Sequence, residues 1–500
     1  MDQTLFEPPQ PSPPADAAPA AVVCGGKRWI EIPARGQLAF AARCTDDFVP
    51  DDALVRVVDA IGERLDVAAF ERRYPGGGRP AYHPRLLAKL LIYGMCMGVL
   101  SARELSRRLE RDLHFMWLAC ELRIDHEVLS EFRSRFHDEI RGLFKETLRL
   151  GIELGLVRFG CIAIDGTKIA AAARRRALNK ADLDKTLARL DERIVKLLAE
   201  AAALDAAEDA QFGTARGDEV PRKLAKAQAL REKLQALLPA AAEDPQRRIS
   251  PTDPEAPIQK TQDGKRPGYN AQIATDDKVG FIVAQDVTCE QNDTGQFAPM
   301  AAQTVENLQR APATFVADTG YHSAAALEYL AANPELDAYI KQQAPPSPDL
   351  FGHEKFEYDT AADEYLCPAG RVLSFKSLTD LGGRPARVYR VAHTCANCAL
   401  RERCFKGKCA YRKLIIQPHS GWSVAMKLRL ETAAGKQALR TRGETVERTF
   451  GTIKAQLGLR QYLTRGLQNA QTQFCLAAIA VNMRKLAGWI LTNGWTPAPA

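Results

Sequence analysis

Two short apolar runs, each ending at an aspartate, most constrain how this chain can fold. Residues 159–164 (Phe-Gly-Cys-Ile-Ala-Ile) lead into Asp165, and residues 314–317 (Thr-Phe-Val-Ala) lead into Asp318. Apolar runs of this length, bounded by turn-forming residues, predict strands buried in a sheet. An aspartate after such a strand is ordinarily a turn or capping residue, so neither acid indicates a function by itself.

A third acid, Glu447, lies on a stretch with helical periodicity. Val446, Phe450, Ile453 and Leu457 recur at helical spacing and predict an apolar stripe that docks this helix on the sheet. A glutamate on a basic helix is ordinarily a solvated salt-bridge partner. Two carboxylates at strand ends and a third on a helix can nevertheless gather around two divalent cations, which clamp the attacking and leaving oxygens of a phosphodiester. Magnesium suits such a site, and we expect Mn²⁺ to substitute for it.

The residues around the three acids carry a family resemblance. Residues 165–168 (Asp-Gly-Thr-Lys), residues 318–322 (Asp-Thr-Gly-Tyr-His), and residues 446–450 (Val-Glu-Arg-Thr-Phe) with Lys454 resemble, in order, the three catalytic blocks of bacterial insertion-sequence DDE transposases. The resemblance covers roughly residues 35–485. It implies an α/β fold with a ribonuclease-H-like mixed-sheet core, and a transposase that binds the ends of an insertion sequence and cleaves and transfers DNA strands.

The match to the third block is incomplete. Many members of that family carry a Tyr seven residues and an Arg four residues before the Glu, where this chain has Arg440 and Gly443. The Lys seven residues after the Glu is present as Lys454. A separation of seven residues is about two helical turns, so we expect Lys454 to share a face with Glu447 and to hold a DNA phosphate.

Positive charge is concentrated around the third acid. Residues 401–465 contain 15 Lys or Arg and 4 Asp or Glu, a local net charge of +11, against +7 for the whole chain. Such a block is the electrostatic footprint of a nucleic-acid enzyme, although a solvated surface has the same composition. We predict DNA contacts by Arg442 and Arg448 here, with surface salt bridges as the alternative for both, and by Lys168 beside Asp165.

The region before the first predicted strand has only helical patterns. Pro84 and Asp125 are start signals for two of these helices, and Arg133, which we predict to contact DNA, lies on the second. We interpret residues 35–156 as an all-α DNA-binding domain, compatible with a helix-turn-helix variant. The alternative is that these helices only pack against the catalytic core. The resemblance further implies double-stranded DNA partners, namely terminal inverted repeats and target DNA, and a homodimer in the DNA complex.

Composition divides the rest of the chain. Residues 1–34 are a Pro/Ala-rich tail that we expect to be disordered. Residues 157–500 are the predicted catalytic domain, with a helical-hairpin insert at 174–245. In the first arm of this hairpin, Leu183, Leu187, Leu190, Ile194 and Leu197 follow heptad spacing.

Five cysteines define a second insert, residues 340–415. Cys395, Cys398 and Cys404 have spacing suited to a tetrahedral zinc site, with Cys367 or Cys409 as the fourth ligand. Such an ion would fix a small, loop-rich unit that lacks a core of its own. Unliganded or redox-active thiols are the alternative.

The cellular setting follows from the ends of the chain and from its cysteines. The first twenty residues lack the basic start and apolar core of an export signal. Arg484 and Lys485 interrupt the longest C-terminal apolar stretch, which argues against a membrane span. Twelve cysteines without an export signal predict reduced thiols and a cytoplasmic protein acting at the nucleoid. Two other functions stay open: a DNA-binding protein derived from a transposase that has lost catalysis, and a nuclease that cuts without joining strands.

Overall fold

The structure is a computed structural model. It describes residues 21–24, 27–30, 44–74, 81–175, 177–212, 222–261, 264–343, 350–381, 383–406 and 409–494. Backbone contacts divide the chain into two compact units, residues 1–48 and 49–500. In the first unit, β1 (Ala21–Cys24) pairs antiparallel with β2 (Lys27–Ile30), and a 3₁₀ turn covers Thr45–Phe48. The rest of the tail predicted at residues 1–34 lies outside the described residues.

The described residues between 49 and 156 form seven helices, in the region where the sequence pattern predicts only helices. Pro84 occupies the first turn of its helix, and the Asp125 carboxylate accepts a hydrogen bond from the Glu127 N–H at 2.7 Å, so both predicted start signals are present. The helices are α1 (Leu54–Arg64), α2 (Ala68–Glu71), α3 (Pro84–Cys96), α4 (Ala102–Arg108), α5 (Leu113–Leu118), α6 (His126–Arg135) and α7 (His137–Glu153).

A mixed sheet forms the centre of this unit. Its strands are β3 (Cys161–Ala170), β4 (Ile258–Thr261), β5 (Gly264–Asp276), β6 (Ile282–Thr288), β7 (Thr314–Ala317) and β8 (Ala338–Ile340). The order is β4-β5-β3-β7-β8, and β6 also pairs with β5. Strands β3 and β6 are antiparallel to β5, whereas β7 and β8 continue the sheet in parallel with β3.

A helical hairpin separates β3 from β4. It consists of α8 (Lys180–Phe212) and α9 (Arg222–Gln235), followed by the short α10 (Leu238–Glu243). The first three heptad leucines of α8 are buried against Ala227 and Leu234 of α9. This hairpin therefore has its own small apolar core. Helix α11 (Phe297–Leu308) then connects β6 to β7, and α12 (Ala324–Ala332) connects β7 to β8.

The cysteine-rich segment departs from its prediction. It forms a five-stranded antiparallel sheet in which strands consecutive in the chain are neighbours, with a buried cluster that includes Leu373, Tyr389 and Leu414. The expectation of a loop-rich unit without a core is wrong, because short strands with alternating apolar residues bury one face of this sheet. The elements are β9 (Glu357–Asp359), β10 (Glu364–Leu366), β11 (Val372–Asp380), β12 (Pro385–Val391), α13 (Arg401–Cys404) and β13 (Lys413–Ile416).

Three long helices complete the unit. Helix α14 (Ser420–Glu431) leads into α15 (Ala433–Gly451), which continues as a π-helical turn, Thr452–Gln456, before α16 (Leu467–Asn493). Among the described helices, α16 is long and apolar enough to cross a membrane, but 72% of its apolar window is buried inside the protein. It packs against α3, α7 and β6. Helix α16 therefore joins the N-terminal helices to the sheet in one core.

Candidate metal and DNA site

Asp165 and Asp318 come from neighbouring parallel strands. In the register of β3 with β7, Ile164 lies beside Ala317, so the two aspartates that follow are next to each other. Strand β3 does not end at Asp165, as the sequence had suggested, but continues to Ala170 because Gly166–Ala170 pair with β5. Asp165 thus lies in the middle of β3, at the level where β7 ends. The two aspartates consequently lie side by side at the carboxyl end of β7.

The Asp165 carboxylate is largely buried, with 19% of the side chain exposed. Its Oδ1 accepts a hydrogen bond from the Gly166 N–H at 2.8 Å, and its Oδ2 accepts one from Arg442 Nη1 at 3.0 Å. The pKa of Asp165 is raised to about 6, chiefly by burial and also by the negative charges of Asp318 and Asp293, while the Arg442 guanidinium opposes the rise. Because neighbouring carboxylates disfavour ionisation, this position favours a bound cation.

Asp318 is held by the turn that follows it. Its Oδ1 accepts a hydrogen bond from the Gly320 N–H at 2.8 Å and so caps the 3₁₀ turn Thr319–Tyr321. The side chain is half-buried. Asp318 is therefore a turn residue, as is usual for an aspartate that follows a strand. Its negative charge also acts on Asp165.

Helix α15 lies against β3 through the predicted apolar stripe. Val446, Ile453 and Leu457 are fully buried, and Phe450 is 8% exposed. Beyond the stripe, two cations contact alternate residues of β3: Arg442 binds Asp165, and Lys454 Nζ donates to Thr167 Oγ1 at 2.6 Å. Residues two apart on a strand share a face, so this face of β3 carries Asp165, Thr167 and both cations.

Glu447 does not join the two aspartates in this structure. It is exposed on α15, and within the described ranges no three His, Cys, Asp or Glu side chains converge closely enough to hold a metal ion. The seven-residue spacing from Glu447 to Lys454 also crosses into the π-helical turn, which widens the helix, so regular two-turn geometry does not apply. Such π-helical turns occur frequently at functional sites.

A fourth acid that sequence reasoning missed, Asp293, lies close to the pair. Its Oδ1 accepts hydrogen bonds from Asn270 Nδ2 and Gln272 Nε2, each at 2.7 Å, and from Lys168 Nζ at 3.4 Å. A signal was present in the sequence: Asn270 and Gln272 are polar residues that alternate with the apolar Tyr269, Ala271 and Ile273. Fully buried amides of this kind need partners, and Asp293 provides one.

Three basic residues predicted to bind DNA have different settings. Lys168 is half-buried and paired with Asp293, and Arg448 is exposed beside a cavity that Lys485 and Gly280 also line. Arg133 is only 7% exposed, and its Nη1 donates to the Leu100 carbonyl at 3.3 Å. Since Arg133 faces the helix packing, it is not among the DNA contacts that we propose below.

The cysteines gather around one small cavity. Cys367, Cys395, Cys398 and Cys404 all line it, whereas Cys409 is exposed. Burial raises the pKa of the Cys404 thiol, and the other three sulfurs add to that shift. In the part of the chain that is described, however, the sulfurs are not close enough together to form a coordination sphere. The fourth sulfur of this group is thus Cys367, and a zinc site is not preformed.

Comparison with known proteins gives two matches to protein families. Residues 43–135 match the family described as "Transposase domain (DUF772)", and residues 366–487 match the family described as "Transposase DDE domain". The second match includes Glu447, Lys454 and the five cysteines; Asp165 and Asp318 lie between the two matched segments. A search of curated proteins finds no significant match.

Proposed function

We propose that this chain, which belongs to the insertion-sequence DDE transposases, binds the ends of an insertion sequence and cleaves and transfers DNA strands. Asp165 and Asp318 would be its catalytic residues. One observation carries the proposal: Asp165 and Asp318 follow the paired residues Ile164 and Ala317 of neighbouring parallel strands, where burial and then the charge of Asp318 raise the pKa of Asp165. Carboxylates brought together at a sheet edge are suited to divalent cations.

The strand arrangement supports a ribonuclease-H-like core. Three antiparallel strands (β6, β5, β3) are followed in the sheet by two strands parallel to β3 (β7, β8). Asp165 lies on β3, the central strand of these five, and Asp318 directly follows β7. We propose residues 157–500 as the catalytic domain and residues 174–245 and 340–415 as its inserts. The order of these elements along the chain agrees with that division.

The acidic residues fit Mg²⁺ or Mn²⁺. The donors are carboxylate oxygens, and the largely buried carboxylate of Asp165 forms an ion pair with the Arg442 guanidinium. Asp165 and Asp318 would hold the metal, and we propose Glu447 as the third acid because it lies on α15, the same helix as Arg442. Two such ions, when bound, clamp the attacking and leaving oxygens of a phosphodiester.

The chain's own cations would position DNA. Lys454, whose ammonium now contacts Thr167 two residues from Asp165, is suited to a phosphate entering the site. Arg448 is suited to a neighbouring phosphate because it is exposed on the same helix. The basic segment 401–465 would then supply binding that tolerates many sequences, while helices within residues 35–156 would recognise the terminal repeats. A homodimer would hold both ends.

A structural zinc ion is a separate proposal. Four thiols around one cavity are the donor set that Zn²⁺ prefers, and Cys367, Cys395, Cys398 and Cys404 would hold it. The sheet of the cysteine-rich insert already has its own apolar cluster, so zinc would reinforce this unit and not create it.

A second candidate function is a DNA-binding protein without catalysis. The exposed position of Glu447, apart from the two aspartates, is the observation that favours it. The two functions differ in one assay: the full-length protein is incubated with Mg²⁺ and DNA that carries the terminal repeats of its own element. The transposase predicts cleavage at the repeat ends, abolished in Asp165→Asn with DNA affinity retained. Binding to the repeats without cleavage by the wild-type protein would favour the second function.

A further inference from the structure

We propose that Asp293 is a positioning residue of the metal site, which fixes the strand carrying Asp165 and the turn carrying Asp318 relative to each other. The inference rests on the metal site proposed above and adds a residue to it. Asp293 follows β6, outside all three acidic motifs of the sequence. Its carboxylate lies where residues from β3, β5 and the turn after β7 come together.

One carboxylate oxygen of Asp293 gathers side chains from two strands. Asn270 and Gln272 on β5 and Lys168 on β3 all donate to Oδ1. Asn270 and Gln272 are completely buried, and the Lys168 side chain is 20% exposed. Burying a polar or charged side chain without a hydrogen-bond partner raises the free energy of the folded state. The Asp293 carboxylate therefore stabilises the positions of the two amides and the half-buried Lys168 ammonium.

The connection to Asp318 runs through Gln272. The Tyr321 hydroxyl donates a hydrogen bond to Gln272 Oε1, and Tyr321 ends the 3₁₀ turn that begins directly after Asp318. Gly320 lies between the two carboxylates, since a Cβ at Gly320 would be 3.2 Å from Asp318 Oδ1 and 3.3 Å from Asp293 Oδ2. Asp293 therefore lies beside the turn. It is also linked to the turn by two consecutive hydrogen bonds, from Gln272 to Asp293 and from Tyr321 to Gln272.

The connection to Asp165 runs through the next residues of β3. Gly166 pairs with Gln272, and Lys168 pairs with Asn270, so these four residues share one face of the sheet. A Cβ at Gly166 would lie 2.6 Å from Asp293 Oδ1. Asp293 is thus packed against the backbone next to Asp165, on the face opposite Thr167 and helix α15. From there it braces β3 without contacting the DNA side of the site.

Metal affinity in the absence of DNA tests this role. Mn²⁺ binding to the full-length protein is measured by electron paramagnetic resonance for the wild type, Asp165→Asn, Asp293→Asn and Asp253→Asn. Asp253 is a matched control, because it is a buried carboxylate that accepts from Tyr269 on β5 and from the Gly466 N–H. Loss of a residue that orients metal ligands typically weakens metal affinity ~10–100-fold. We expect at least about tenfold weaker Mn²⁺ binding for Asp293→Asn and wild-type affinity for Asp253→Asn.

Further variants separate the outcomes. Tyr321→Phe removes only the hydroxyl that donates a hydrogen bond to Gln272. We expect this variant to bind Mn²⁺ more weakly than the wild type, by a smaller factor than Asp293→Asn, with an unchanged circular dichroism spectrum. Should Asp293→Asn not fold, Tyr321→Phe decides: wild-type Mn²⁺ affinity in that variant overturns the proposal. If Asp165→Asn weakens binding but folded Asp293→Asn does not, the role of Asp293 is wrong and the metal site stands. If Asp165→Asn binds Mn²⁺ like the wild type, the metal site itself is wrong.

Discussion

Arg442 of α15 donates a hydrogen bond to Asp165 of β3 over 3.0 Å, and both side chains are mostly buried, with 17% and 19% exposed. This pair joins the basic helix to the strand at the candidate metal site. The guanidinium lowers the pKa of the Asp165 carboxylate and so opposes the effect of its burial. The sequence predicted Arg442 as a phosphate contact, with a salt bridge as the alternative, and in the structure Arg442 pairs with Asp165.

Replacing Arg442 should destabilise the protein in the absence of metal. Arg442→Gln removes the cation beside a buried carboxylate, which raises the pKa of Asp165 further and costs about 1–3 kcal/mol of unfolding free energy at pH 7.5. Urea denaturation of the wild type, Arg442→Gln and Arg440→Gln measures the effect. Arg440 is exposed on the same helix, so its variant should match the wild type. Equal midpoints for all three proteins would mean that the pair contributes nothing.

Asp165 should make stability depend on pH in a defined window. Its pKa is about 6 in the folded protein against an ordinary value of 3.8, so the folded state binds the proton more tightly than the unfolded state. Stability therefore falls as pH rises from about 4 to about 6, by at most ~3 kcal/mol. We expect the unfolding free energy of metal-free Asp165→Asn, relative to wild type, to increase across this window. A difference between the two proteins that is constant with pH would contradict the assignment.

Lys454 should contribute one phosphate contact. In Lys454→Ala, binding to all DNA sequences weakens alike, and the slope of log affinity against log salt falls by about one unit, because one fewer counterion is released. Fluorescence anisotropy at several salt concentrations measures both quantities. Lys226→Ala, an exposed lysine on the helical hairpin, is the control. An unchanged slope in Lys454→Ala would exclude a phosphate contact at this residue.

Zinc content tests the cysteine cluster. Protein purified without added zinc should contain about one ion per chain, and Cys398→Ser should lose it, because three remaining thiols hold zinc poorly. Cys120→Ser serves as a control, since Cys120 is exposed and far from the cluster in sequence. Near-zero zinc in all three proteins would leave four free thiols around the cavity.

Local patterns predicted the elements of the fold better than the partners of charged side chains. Short-range patterns predicted three features that the structure contains. They are the apolar stripe at Val446 and Ile453, the helix start at Asp125 and the heptad leucines from Leu183. By contrast, β3 continues beyond Asp165 only because β5 pairs with it, and that pairing depends on residues about a hundred positions away.

The site itself depends on contacts of this long-range kind. Arg442 reaches Asp165 across 277 positions, and Lys168 reaches Asp293 across 125. Arg133 was expected to contact DNA because it lies on a helix compatible with a helix-turn-helix variant, yet helix packing buries it against Leu100. Composition gives the sign of a surface charge, but the packing of elements decides which charges meet.

Metal ligation by the three acids is tested most directly by replacing each acid with a residue that binds Mn²⁺ but not Mg²⁺. Cysteine at a ligand position provides a thiolate, which Mg²⁺ binds poorly and the softer Mn²⁺ accepts. Cleavage of terminal-repeat DNA is therefore measured in each metal for Asp165→Cys, Asp318→Cys, Glu447→Cys and, as a control, Glu444→Cys at an exposed position of α15. We expect the first three variants to be inactive with Mg²⁺ and to regain activity with Mn²⁺, while Glu444→Cys is active with both. Full activity of Asp165→Cys or Asp318→Cys with Mg²⁺ would contradict metal ligation by these aspartates, and full activity of Glu447→Cys with Mg²⁺ would remove Glu447 from the site.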